Sequence, residues 1–205
     1  MLDVTPQLDP RTRILAAAET CFARSGFHRA TMQDVAREAG MSPGNLYRYF
    51  PSKAAIVAGL CQRDQEELSA DLAGLSGGGD LIALFAAMAR KHLVEEPRER
   101  AALILEIWAE ASRNPDIAAI SAEFERGLKA GLAAVIEAGK VKGDVPASVD
   151  TAFAVRVMCM AADGLFKRRV IDADFNADRD IAAVLAVFSA LLKGAITTPD
   201  ASHAA

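Results

Sequence analysis

The sequence predicts an all-α protein: a small three-helix head at the N-terminus, then a larger helical bundle. Three observations predict it. Apolar residues make up 52% of the 205 positions, enough for a sizeable core. They recur at helical spacing, and no stretch alternates with strand period over a useful length. Prolines and capping residues stand where helices of that spacing would begin.

The elements follow in order. Residues 1–9 are polar, contain Pro6 and read as a flexible arm. Asp9 is a candidate N-cap for a helix that begins at Pro10, because proline suits the first helical position. Ile14, Leu15, Ala18, Cys21 and Phe22 form its apolar stripe, and Gly26 ends it. Thr31 opens a second helix, with Asp34 completing a capping-box-like pattern. Val35, Ala36 and Ala39 face inward, and Gly40 supplies the left-handed stop. Ser42 caps a third helix with Pro43 at its first position. Leu46 and Phe50, four apart, are its buried side. Pro51 breaks the chain, and Ser52 caps a fourth helix running to about Leu75. Ser76-Gly77-Gly78-Gly79 then reads as a flexible link rather than a phosphate loop, since no strand precedes it and no Lys-Ser/Thr follows. Further helices are expected near 80–95, 98–113, 115–139, 148–171 and 178–196. Residues 198–205 form a polar, flexible tail. The expected division is 10–57 for the head and 58–197 for the bundle.

Charge is unevenly spread. Residues 1–60 hold seven Lys/Arg against five Asp/Glu, while the remainder holds 16 against 22. A basic head on an acidic body is one footprint of a nucleic-acid binder. No run of 18 apolar residues exists and no secretory pattern opens the chain, so no membrane partner and a cytoplasmic location are expected. Cys21, Cys61 and Cys159 lack paired spacing, which fits a reducing compartment better than a disulfide framework. No HExxH, GxSxG or P-loop pattern appears, and His28, His92 and His203 share no local spacing with Cys or acidic groups. Neither an enzyme nor a cofactor is expected. Asp172 to Asp178 imitates the start of a calcium loop but has Ala177 where the glycine belongs and Ala183 where the closing glutamate belongs. Lys167-Arg168-Arg169 reads as a solvated, dipole-matching helix end.

Two short helices joined by a glycine-containing turn make a helix-turn-helix, whose second helix enters the major groove of DNA with its N-terminal residues on base edges. Ser42, Pro43, Gly44 and Asn45 form that tip. Small residues let the backbone approach, the helix N-terminus favours phosphate, and Asn45 can pair with adenine. Tyr47, Arg48 and Tyr49 offer donors to phosphate, and Arg48 also to guanine. Lys53 stands at a helix start, where the dipole disfavours a cation and a phosphate would remove the conflict. Arg11 and Arg13 face the same conflict at the start of the first helix.

The stretch from Ala30 through Lys53 (ATMQDVAREAGMSPGNLYRYFPSK), with Phe22-Ala23-Arg24-Ser25-Gly26-Phe27 upstream, resembles the DNA-binding signature of the TetR family of repressors over about residues 11–57. The resemblance implies a helical homodimer. Its first three helices would bind DNA, the fourth would link, and the rest would form an effector pocket and the dimer interface. Matched by motif position, Thr31, Gln33, Ser42, Gly44, Tyr47, Tyr49 and Lys53 would be DNA contacts and Asn45 a base reader. Tyr49 stands where histidine is frequent, and Met41 replaces a common valine. The implied function is a repressor that binds a palindromic operator as a homodimer and is released by a small molecule. The alternative is a helical small-molecule-binding or interaction protein without specific DNA binding, in which the exposed Tyr, Arg and Asn of the third helix would be purposeless.

In the bundle, the helix near 148–171 is apolar on more than one side, and the one near 178–196 carries a broad apolar stripe extended by Val187 and Ala190. Such helices must be covered on all sides. They are expected to pair with their twofold mates through Phe153, Val157, Met160, Val184, Phe188 and Leu191. An effector pocket is expected from Met88, His92, Trp108, Phe124, Met158 and Phe166, with Glu106, Asp163 and Arg156 as polar groups.

Overall fold

The computed structural model describes residues 9–73 and 80–198. Among these there are nine α-helices and one π-helical turn, with no strand. The expected arm, glycine-rich link and tail lie almost wholly outside the described residues. The chain divides into two units: residues 1–64 with 102–122, and 65–101 with 123–205.

The first unit contains α1 (Pro10–Ser25), α2 (Met32–Glu38), α3 (Pro43–Tyr49) and the first part of α4 (Lys53–Ala73). It also takes in most of α6 (Arg98–Ala111) and the start of α7 (Pro115–Lys142). The helix starts follow the sequence. Asp9 accepts from the amides of Arg11 and Thr12. Thr31 and Asp34 form a reciprocal capping box. Ser42 accepts from Asn45 N and Ser52 from Ala55 N. Gly40 sits at φ +63°, where a Cβ would be strained. The core gathers Ile14, Phe22, Val35, Leu46, Phe50, Ile56 and Val57, all fully buried, around the Phe22–Phe27 ring pair at 5.2 Å. α4 lies close above Phe50, since a Cβ at Gly59 would stand 2.8 Å from the Phe50 ring. Leu103, Ile107 and Ile117 complete this core. Three short helices alone offer too little apolar surface, so the head's packing extends past residue 57.

The second unit holds the rest of α4, α5 (Leu81–Arg90), a π-helical turn at Lys91–Glu95, most of α7, α8 (Thr151–Ile171) and α9 (Ala177–Leu192). The single helix expected over 80–95 is thus broken by a wider turn. Arg169 donates to the carbonyls of His92 and Glu96, and Arg98 to those of Arg169 and Val170. Carbonyls freed by the irregular winding and by the α8 end find donors in this way. Arg169 is therefore half-buried and occupied, in contrast to the solvated end expected. Arg168 pairs with Asp172 and Asp180. The aspartates of the 172–178 loop and its neighbours cap and brace the turn into α9: Asp172 accepts from Asp174 N and Asn176 from Arg179 N. The main core of this unit is built on Phe85, Leu132, Ile136, Met158, Phe188 and Leu191, with Phe85 and Phe188 edge to face at 5.5 Å.

Candidate nucleic-acid interface

α3 is short, and its two sides are distinct. Leu46 and Phe50 are 0% and 1% exposed and seat the helix on the head's core. Ser42, Pro43, Gly44, Tyr47 and Arg48 project into solvent, with Tyr47 45% exposed. Asn45 is half-buried at the shoulder. The helical period places 43, 44, 47 and 48 on one side and 46 and 50 on the other. Ser42 closes the first turn by accepting from Asn45 N at 3.3 Å, while Pro43 needs no donor partner. The expected residues of α3 are thus brought together on one outward surface, apart from Tyr49, which is half-buried against the core.

α2 adds Thr31 and Gln33 at its start, both exposed, over buried Met32, Val35 and Ala36. The hydrogen bonds from the Thr31 side chain and backbone hold the Asp34 carboxyl below its ordinary range. Arg37 pairs with Asp34, and Arg24 with Glu38 at 3.1 Å.

Lys53 is placed differently from the expectation of a free phosphate contact. Its ammonium turns inward and donates to the carbonyls of Phe27, His28 and Ala30 at 2.8, 3.1 and 3.0 Å. It also stands 4.7 Å from the centre of the Phe27 ring. Burial lowers its pKa, with Glu110 acting in the opposite sense. The conflict between a cation and a helix N-terminus is met by the protein's own carbonyls. Arg11 lies 4.7 Å over the Phe50 ring, a cation–π contact that helps hold its charge at the start of α1.

The residues expected to form a pocket belong to both units. Met158 is core, and Met88 and Phe166 pack against core clusters. His92 bonds Glu96, four positions on, at 3.0 Å, a local pairing with an acidic group where none was expected from the sequence. Glu106 and Trp108 belong to the first unit, whereas Phe124, Arg156 and Asp163 belong to the second. The Glu106 carboxylate accepts from the Phe27 amide, which the sequence could not signal across 79 positions. A groove of about 560 Å³ opens between Asp80, Leu81, Asp144, Val145, Ser189, Leu192 and Lys193, and none of the expected residues lines it.

Two of the residues expected at the dimer interface are buried within the single chain. Phe188 and Leu191 are 7% and 1% exposed within the single chain, because α9 turns them onto Phe85 and the α8 core. Phe153, Val157 and Val184 are half-buried, and Met160 is 59% exposed. Among the described residues no cluster of His, Cys, Asp and Glu could hold a metal, and no helix is long and apolar enough to cross a membrane. The three cysteines are unpaired, and burial raises each thiol's pKa, that of Cys61 to about 11.

Comparison with known proteins decides the family. Residues 14–60 match the model of the N-terminal region of bacterial regulatory proteins of the tetR family, and residues 83–194 match the C-terminal region of BetI-type transcriptional repressors. The chain belongs to the TetR family of transcriptional regulators. The HTH-type transcriptional regulator UidR of Escherichia coli K12 is 31% identical over 148 residues, 72% of this chain and 75% of that one. The structure of Salmonella enterica GusR superposes with a TM-score of 0.77 at 30% identity, covering 93% of this chain and 98% of GusR. FadR of Bacillus subtilis, solved in complex with stearoyl-CoA, shares the fold with a TM-score of 0.72 at 20% identity, covering 89% and 98%. This regulator is thus a DNA-binding protein of the helix-turn-helix class, and the family is one of regulators rather than enzymes.

Proposed function

We propose that this TetR-family regulator is a cytoplasmic repressor. It would bind a roughly palindromic operator as a homodimer and leave it when a small-molecule effector binds. The observation that carries the DNA side is the division of α3: Leu46 and Phe50 are buried beneath, and Ser42, Gly44, Tyr47 and Arg48 stand free above. In this reading 10–57 contacts DNA. Thr31 and Gln33 from α2, Ser42, Pro43, Gly44, Tyr47, Arg48 and Tyr49 from α3, and the start of α4 at Lys53 would meet the backbone. Asn45 would read a base edge. Lys53 would act through the α4 amides and the turn it braces, since its ammonium is already engaged.

Residues 58–197 would serve dimerisation and effector binding. Met160 on α8 and Val187 on α9 are exposed, and Ala182, Ala183 and Ala186 widen the α9 patch. Small and apolar side chains on two neighbouring helices suit close pairing with a twofold mate. Twofold symmetry places the half-sites ~34–36 Å apart or a multiple of it. FadR of Bacillus subtilis was solved in complex with stearoyl-CoA, and a ligand that prefers one spacing of the two recognition helices would shift the population away from DNA.

The test begins with selection of duplexes by the full protein from a random-sequence pool. A repressor of this kind enriches a palindrome. Tyr47→Ala then weakens binding to every duplex and lowers the salt dependence, whereas Asn45→Ala costs ~1–3 kcal/mol and relaxes preference at one base position. Wild-type affinity in both variants would remove α3 from the interface.

A further inference from the structure

We infer that Glu106, on α6, is a positioning residue for operator binding. It holds the α1–α2 turn together with Lys53 and so sets where α2 and its Thr31 cap stand. The inference rests on the reading that α2 and α3 form the DNA surface.

The turn at residues 26–30 is held both from within and from outside. Within it, the Ala30 amide reaches the Gly26 carbonyl, and the Gly26 amide reaches back to Phe22. Arg29 Nε also donates locally to the Ser25 carbonyl at 2.9 Å, and further anchors come from α6 and α4. Glu106 Oε2 accepts from the Phe27 amide at 2.5 Å. Lys53 Nζ takes the carbonyls of Phe27, His28 and Ala30. A carboxylate from α6 and an ammonium from α4 therefore grip the amide and the carbonyl of one residue. Phe27 is 5% exposed, so its amide has little access to water in Glu106's place. A buried amide that loses a charged acceptor bears a desolvation cost and moves to recover a partner.

Space around the grip is limited. Gly26 has φ +80°, and a Cβ built on it would lie 3.4 Å from Glu106 Oε1. One helical turn further along α6, the Glu110 charge acts on Lys53 and is itself influenced by His28. Acidic groups at 106 and 110 thus face a turn braced by Lys53. Ala30, the last residue gripped, precedes Thr31, whose side chain caps α2. A turn released at Phe27 shifts that cap and the exposed start of α2 against α3. Glu106 would then act on DNA affinity without touching DNA, a role distinct from the effector contact its sequence context suggests.

The experiment compares full-length wild type, Glu106→Gln, Glu106→Leu and Tyr47→Ala on the duplex selected above, by fluorescence anisotropy well below each variant's melting temperature. Amide exchange at Phe27 is measured on the same samples. Glu106→Gln keeps an acceptor and should bind within about threefold of wild type, whereas Glu106→Leu should lose ~10-fold or more and speed Phe27 exchange. Tyr47→Ala should weaken binding with Phe27 exchange unchanged. Wild-type affinity in Glu106→Leu, or equal weakness in the Gln and Leu variants, overturns the inference. If Tyr47→Ala also binds like wild type, the interface reading fails as well. Should Glu106→Leu not fold, an unprotected Phe27 amide in the wild-type protein overturns the proposal, and a protected amide with wild-type-like Glu106→Gln binding supports it.

Discussion

Thr31 has two roles at the start of α2: it caps the helix and stands at the outward surface. Its hydroxyl accepts from Asp34 N, and its amide donates to the Asp34 carboxylate. Thr31→Ala should lower stability by about 1 kcal/mol in urea denaturation, the usual loss for an N-cap. The pH dependence has a definite sign. Hydrogen bonds depress the Asp34 pKa in the folded state. Its contribution is therefore present above the unfolded carboxyl pKa of ~3.9 and lost as pH falls through the lower folded value. Asp34→Asn should flatten the acid limb of the stability curve, and an unchanged limb would show that the box does not titrate. This pair was legible in the sequence because its partners are three residues apart. Lys53 was legible only in part. Its conflict with the helix start was visible, but the three carbonyls that meet it lie 23 to 26 positions away. Glu106 gave no signal, since a lone carboxylate on a helix looks alike whether it meets an effector or a distant amide.

At the scale of elements, α3 depends on what lies beneath it. Seven residues are too few for a stable isolated helix, so Leu46 and Phe50 anchor it through packing. α4 bears on the same ring from above, with Gly59 leaving the room. Gly59→Ala should force Phe50 or α4 to shift. We expect a loss of ~1–3 kcal/mol by thermal or chemical denaturation, with weaker operator binding even where the protein stays folded. A neutral Gly59→Ala would mean that the contact relaxes freely. The helix positions themselves were legible through caps and apolar spacing. The break between α5 and the π turn was not, because helical spacing continues through it. The carbonyls of His92 and Glu96 at this turn are met by the distant Arg169 guanidinium.

For the whole molecule, the decisive surface is the one left over after each unit has packed. Phe188 and Leu191 are consumed inside, whereas Met160 and Val187 remain outside with the small residues of α9. If this patch joins two copies, Met160→Lys combined with Val187→Glu should give monomers in sedimentation at micromolar concentration. Operator affinity should fall with dimerisation, because two half-sites are then read separately. Dimers with unchanged affinity would place the interface elsewhere.

By itself the sequence determined the helical class, the order of the helices, their caps, and a helix-turn-helix whose Leu46 and Phe50 point in while Tyr47 and Arg48 point out. These features follow from neighbours within a few residues, where helical geometry leaves few choices. Only the tertiary structure decided which apolar residues the subunit keeps for its own core and which it leaves free. It alone brought Glu106 to the amide and Lys53 to the carbonyl of Phe27. Both outcomes depend on contacts between helices far apart in the chain, and periodicity along one helix carries no record of the partner it will meet.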